Sequence, residues 1–177
     1  GQSDFFVGVG EFDEVPFLVQ AGHVQFVHGH DLPAAEAPGQ LVGWIAAFHR
    51  EQAAATGLDP MLLAALIRQE SAWNPEARSR VGARGLMQIM PATWAGLRNR
   101  YRLGADPHDL RDNIIAGAAY IRELYDRYGS PGWIAAYNSG PGRYEDWLKG
   151  RPLPAETRAY VATLAPSLGD GDASAPI

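Results

Sequence analysis

A carboxylate stands where a carboxylate is costly. In the stretch from Met61 to Pro91, MLLAALIRQESAWNPEARSRVGARGLMQIMP, the residues Leu62, Leu63, Leu66 and Ile67 recur at helical spacing. Glu70 follows Leu66 by four residues and Ile67 by three, so it shares the face meant for the core. Burying a charge there is unfavourable unless it is paired or neutralised. Two readings follow. A desolvated glutamic acid has a raised pKa and holds a proton near neutral pH, which suits general acid chemistry. A structural glutamate pairs instead with Arg68, Arg78, Arg80 or Arg84. The helix that must position it has Asp59 as N-cap and Pro60 in its first turn. It is expected to run to about Trp73, because Asn74 precedes a proline and avoids helical dihedrals.

The residues beyond this helix decide between the readings. Ser79 lies nine positions after Glu70, and the run Gly85-Leu86-Met87-Gln88 precedes a Pro91-Ala92-Thr93 helix start. Further on come Ala136-Tyr137-Asn138-Ser139-Gly140-Pro141-Gly142 and Glu156-Thr157-Arg158-Ala159-Tyr160-Val161. Each piece alone is weak, but their order and spacing together are specific. In them the chain resembles the soluble lytic transglycosylases, relatives of goose-type lysozyme, over roughly residues 39–168. The resemblance implies a mainly α, lysozyme-like helical domain from the α+β lysozyme superfamily. It says nothing of the first forty residues.

The resemblance also implies roles. Glu70 and Tyr137 are the expected catalytic residues, the Tyr137 hydroxyl donating to the Glu70 carboxylate. Ser79, Gly85, Leu86, Met87, Gln88, Asn138 and Tyr160 are the expected substrate-binding set; Ser79 is also readable as a loop cap, although its spacing supports a substrate contact, Met87 is equally readable as a core residue, and Tyr160 is readable as a core aromatic although its Glu156-Thr157-Arg158 prefix supports the cleft. Trp73 and Tyr101 are further candidates for stacking on sugar rings. In this family the glutamate protonates the glycosidic oxygen of peptidoglycan. The substrate's 2-acetamido group stabilises the anomeric centre, and the glutamate then activates the C6 hydroxyl. The product is a 1,6-anhydro-muramoyl end. Goose-type lysozymes carry aspartates just before the Gly-Leu-Met-Gln run, where this chain has Arg80, Val81, Gly82, Ala83 and Arg84. Glu76 is the one nearby acid, expected to face solvent beside Arg78 and Arg80. A lyase is therefore favoured over a muramidase, which needs a second carboxylate to activate water. A distant acid such as Glu123, Glu145 or Asp146 remains open as that second group. A peptidoglycan-binding module without chemistry is the remaining alternative.

Composition bounds the partners. The chain has 177 residues, enough for one domain with a core, and a net charge of −5 that argues against nucleic acid. Stem peptides of peptidoglycan are themselves acidic, so local arginines would have to offset that charge. No cysteine is present, which excludes thiolate and disulfide chemistry. No apolar run reaches membrane-spanning length. The chain starts at Gly1 without a visible signal peptide, so it is expected to be a domain of a larger protein or assembly. The periplasm, the cell envelope, the extracellular space or a phage virion would suit it.

Residues 1–38 read as a β-rich or extended arm and linker, 39–168 as the catalytic domain, and 169–177 as a flexible tail. In the arm, Phe5 to Val9, Val15 to Val19 and Val24 to Val27 form short β-rich runs, and Asp31 to Gly39 reads as a linker. His23, His28, His30 and Asp31 suit a transition metal by type, but a polar loop explains them as well. Asp170 and Asp172 lack the rest of a calcium loop. No metal or cofactor is expected. In the domain, Leu41, Trp44, Ile45 and Phe48 mark a helix ending at Gly57. Pro91 starts another. Ile114, Ala118, Ile121, Tyr125 and Tyr128 mark a long one ending at Gly129. Ser130-Pro131 is expected to cap and start the next, and Tyr144–Leu148 and Ala155–Leu164 complete the set.

Overall fold

The computed structural model describes residues 17–20, 23–26 and 50–168. The candidate metal ligands His28, His30 and Asp31, the side chain of His23, the linker, the helix start at Leu41 to Phe48 and the tail lie outside the described residues. Within the arm, β1 (Phe17–Gln20) pairs antiparallel with β2 (His23–Phe26), Phe17 opposite Phe26 and Gln20 opposite His23.

The rest is helical, as the mainly α, lysozyme-like reading requires. Residues 50–56 form α1, closed at Gly57. Then follow α2 (Pro60–Ser71), α3 (Pro91–Tyr101), α4 (Leu110–Tyr128), α5 (Gly132–Ser139), α6 (Pro141–Leu148) and α7 (Ala155–Leu164). A 3₁₀ turn, Ala165–Ser167, ends the described domain. Asp59 caps α2 by accepting the Met61 amide at 2.8 Å, and Asp109 caps α4 by accepting that of Asp112 at 2.8 Å.

α4 is the axis of the domain. Every residue from Asn113 to Ala119 is buried, so this helix is enclosed on all sides rather than along one stripe. Its small residues, Ala116, Gly117, Ala118 and Ala119, let neighbours approach from several directions. α3 and α5 pack on it, α5 also meets α6 and α7, and α7 touches α2. Leu63, Leu66 and Ile67 of α2 join Ile114, Ile115 and Ile121 of α4, Trp133 and Ile134 of α5 and Leu164 of α7 in one core.

Two helix ends differ from the sequence expectation. α2 stops at Ser71, before Asn74-Pro75, because Ala72 and Trp73 both turn left-handed, at φ 48° and 64°. Two non-glycine residues in that region are a local cost of roughly 1–2 kcal/mol each, and the fold holds them there. The Ala72 amide closes the helix on Arg68. α5 begins at Gly132, and Ser130 does not cap it: its hydroxyl is buried without a hydrogen-bond partner among the described residues.

Candidate active site

Glu70 occupies the last turn of α2, immediately before the left-handed reversal. Its leucine-rich face carries it inward, as the spacing requires, and it stays only partly exposed. Burial pushes its carboxyl up to about 7. The hydroxyl of Tyr160 on α7 donates to its Oε1 at 2.6 Å and works the other way, favouring the charged form. The charge of Glu156 raises it slightly further. None of the four arginines offered as partners forms an ion pair with Glu70 among the described residues. Tyr160 is 6% exposed, and burial followed by the Glu70 charge holds its phenol well above the ordinary tyrosine range. It therefore keeps its proton and can only donate to an ionised Glu70.

The hydroxyl expected on Glu70 was that of Tyr137, and this is corrected. Tyr137 donates to the backbone carbonyl of Met87 at 2.7 Å. Its ring lies 5.5 Å from that of Tyr120, centroid to centroid. Both tyrosines stand close enough to Glu70 to feel its charge, but only Tyr160 is bonded to it.

The run from Gly85 to Gln88 is fixed from beneath by α4. Asn113, fully buried, accepts the Met87 amide at 2.8 Å and donates to the carbonyls of Pro107 and Arg84 at 2.7 and 3.1 Å. Gly85 sits at φ 78°, where a Cβ would come within 2.3 Å of the Asn113 amide nitrogen and 2.8 Å of the Pro107 carbonyl. One turn further along α4, Gly117 opens the slot that takes Met87. A Cβ there would lie 2.2 Å from the Met87 sulfur. The side chains of Leu86 and Met87 are core residues, 1% and 0% exposed, and neither lines the cleft, so of the two readings open for Met87 the burial supports the core one. Gln88, at φ 50°, donates to the carbonyls of Ala77 and Gly85 and does face the cleft.

The cleft has a volume of about 430 Å³ and is walled by Gln88, Met90, Tyr120, Tyr137, Asn138, Arg143 and Glu156, among others. Glu70 is not itself on this wall, nor is its partner Tyr160; Tyr137 lines the wall and stands close enough to feel the Glu70 charge. Asn138 lines the cleft, and its side-chain oxygen accepts from Thr157 at 2.8 Å, joining α5 to α7. Ser79 is a loop cap: its hydroxyl accepts the Ala83 amide at 2.9 Å, and it lies off the cleft wall. Trp73 packs against the core, and Tyr101 donates to Glu123 at 2.8 Å; neither lines the cleft.

Glu76 is 73% exposed, as expected, although its neighbour is His108 at 3.9 Å and not an arginine. Glu123, Glu145 and Asp146 are engaged with Arg100, Arg127 and Arg151, away from the wall. The acid that does reach the cleft is Glu156. Sequence reasoning used it only as part of a motif, and it overlooked Asn113, Gly117 and Tyr120 altogether. The signal for Asn113 was present. It is the lone polar residue in the buried run Asn113-Ile114-Ile115-Ala116, the same anomaly that singled out Glu70.

The chain is similar to known proteins over this same domain. It is 39% identical over 107 residues to the soluble lytic murein transglycosylase of Escherichia coli K12, which covers 56% of this chain and 17% of that protein. It is 38% identical over 110 residues to a transglycosylase of enterobacteria phage PRD1, covering 60% and 39%. The chain therefore spans about a sixth of the first relative's length and two fifths of the second's. Among solved structures, the lytic transglycosylase Slt of Pseudomonas aeruginosa superposes with a TM-score of 0.61 at 34% identity, covering 67% of this chain and 22% of that one. The 70 kDa soluble lytic transglycosylase in complex with bulgecin A gives 0.60 at 30% identity, over 72% and 25%. Residues 48–157 match the model of the transglycosylase SLT domain, and the chain belongs to that family.

Proposed function

We propose that this domain is a peptidoglycan lytic transglycosylase, cleaving the β-1,4 bond between N-acetylmuramic acid and N-acetylglucosamine. The observation that carries the reading is Glu70: a desolvated carboxyl titrating at about 7, held at one oxygen by Tyr160. Near neutral pH such a group is available both as acid and as base, which a single-carboxylate mechanism requires. With Oε1 occupied by Tyr160, the other oxygen carries the proton to the glycosidic oxygen. As the C1–O bond breaks, the substrate's acetamido oxygen closes on C1. The Glu70 carboxylate then removes the C6 hydroxyl proton, O6 displaces the acetamido oxygen at C1, and Glu70 ends protonated as it began. No water is consumed, and no metal or cofactor enters. The C6 oxygen is already held on the substrate, so it needs no capture from solvent.

Tyr137 acts in this reading by holding the Met87 carbonyl, and Gln88 and Asn138 by facing the sugar chain. Gly85, Leu86 and Met87 contribute the shape of the loop, and Ser79 its closure. The work site is the cell wall, in the periplasm, the envelope, outside the cell or in a phage virion. Glycan strands are the partner.

A second reading, a muramidase using water, is favoured by one observation: Glu156 lines the cleft and its charge reaches Glu70. Mass spectrometry of digested peptidoglycan separates the two. The expected muropeptides carry 1,6-anhydro ends and weigh one water less than hydrolysis products. A digest of reducing ends that is lost in Glu156→Gln supports the muramidase. Undiminished binding to cell walls with no cleavage supports a silent binding module.

A further inference from the structure

Among the residues that wall the cleft, Arg143 is the one cation and Glu156 the one anion. Most other arginines with an acidic neighbour are committed to it: Arg100 to Glu123, Arg111 to Asp112, Arg122 to Asp126, Arg127 to Glu145 and Arg151 to Asp146. Arg143 has no ion-pair or hydrogen-bond partner among the described residues, and neither does Glu156. Arg143 is exposed, on the first turn of α6 just after the Gly140-Pro141 entry. A net charge of −5 makes the protein as a whole repel an acidic ligand, so a lone guanidinium on the cleft wall is where such a ligand is attracted. The planar fork of arginine also matches a carboxylate in a bidentate way that lysine does not.

We propose that Arg143 receives a carboxylate of the glycan substrate and makes the cleft prefer strands that carry one. The assignment rests on the peptidoglycan reading above. Two groups on muramic acid offer this chemistry: the stem peptide's carboxylates on substituted strands, and the lactyl carboxylate on strands stripped of peptide. Neutral N-acetylglucosamine oligomers offer neither. Glu156 on the same wall repels a carboxylate, so the cation fixes where the anionic group rests.

The test is binding by calorimetry, in a Glu70→Gln background that prevents turnover. The ligands are peptide-bearing glycan tetrasaccharide, its peptide-free counterpart and chitotetraose. Adding Arg143→Gln is expected to weaken one or both muramic ligands roughly three- to tenfold, and to leave chitotetraose unchanged. Arg143→Lys should recover part of the loss, and the loss should shrink with added salt. A loss confined to the peptide-bearing ligand assigns the stem peptide, a loss confined to the peptide-free ligand assigns the lactyl carboxylate, and a loss on both shows that Arg143 receives either carboxylate. Equal affinity with and without Arg143, or an equal loss on all three ligands, overturns the proposal. If the Glu70→Gln protein binds chitotetraose but neither muramic ligand, Arg143 has the wrong partner. If it binds none of the three, the peptidoglycan reading itself fails, and the proposal with it.

Discussion

Tyr160 and Glu70 are 90 residues apart in sequence and 2.6 Å apart in space, phenol oxygen to carboxylate oxygen. The bond joins the last turn of α2 to the middle of α7. It opposes the desolvation that lifts Glu70, so the carboxyl settles at about 7 and not higher. The pair sets the protonation of the acid, and two predictions follow from its sign.

Glu70→Gln should abolish cleavage and stabilise the fold at neutral and higher pH. The folded pKa of Glu70 is raised from 4.5 to about 7, so the folded state binds this proton more tightly than the unfolded chain. The resulting stabilisation is fully present below 4.5 and is lost as pH rises through 7. Above that the buried charge costs up to about 3 kcal/mol relative to the unfolded chain. Thermal melts should show the variant several degrees more stable at pH 8 and equal to the parent at pH 4. A pH-independent difference would mean that Glu70 is not desolvated.

Tyr160→Phe should move the alkaline limb of the pH–rate profile upward. The lost bond is the influence that lowers the Glu70 pKa, so the acid then holds its proton to higher pH. Turnover at pH 6 should fall by roughly tenfold or more, as an unanchored carboxyl is misplaced. An unmoved limb would make Tyr160 a packing residue.

Tyr137→Phe should act on stability more than on the titration of the site. It strips the Met87 carbonyl of its donor, which costs roughly 1–3 kcal/mol. The alkaline limb should stay where it is. If it shifts as far as in Tyr160→Phe, Tyr137 contacts Glu70 in the working enzyme.

Asn113→Ala should be among the costliest substitutions in the domain. It removes three hydrogen bonds at once, one buried and two partly buried, and leaves one amide and two carbonyls to find other partners. A loss of roughly 3–5 kcal/mol is expected by urea denaturation. Asn113→Asp still accepts from Met87 but cannot donate to the Arg84 and Pro107 carbonyls, so it should recover only part. A loss under about 1 kcal/mol for Asn113→Ala would show that solvent replaces these bonds.

Helices were legible where caps and period agree. Asp59 with Pro60 fixed the start of α2, and Gly129 the end of α4. The end of α2 was not legible, because a left-handed Ala72-Trp73 pair has no local signal and is imposed by packing. Glu70 was legible because a polar residue on an apolar stripe is anomalous. Its partner was not, since periodicity says which face a residue occupies but not what it meets across 90 residues. Two tyrosines flank the site, and sequence spacing could not say which hydroxyl turns to Glu70. Met87 stayed open between cleft and core for a related reason. The run around it is close in composition to a sugar-binding loop, while the slot that swallows its side chain is made by Gly117, far along the chain.

The attachment of the Gly85–Gln88 run to Asn113 and Gly117 also decides how the cleft moves. A lid that opens by itself needs a segment whose local unfolding is cheap. This loop hangs from the most enclosed helix of the domain, by the Met87 amide, the Arg84 carbonyl at its entrance and a thioether seated one turn further along. Releasing it breaks these ties to α4, so loop and helix are expected to open together. The loop that presents Gln88 to the cleft is therefore expected to be ordered without a ligand, so that little binding free energy goes into arranging it.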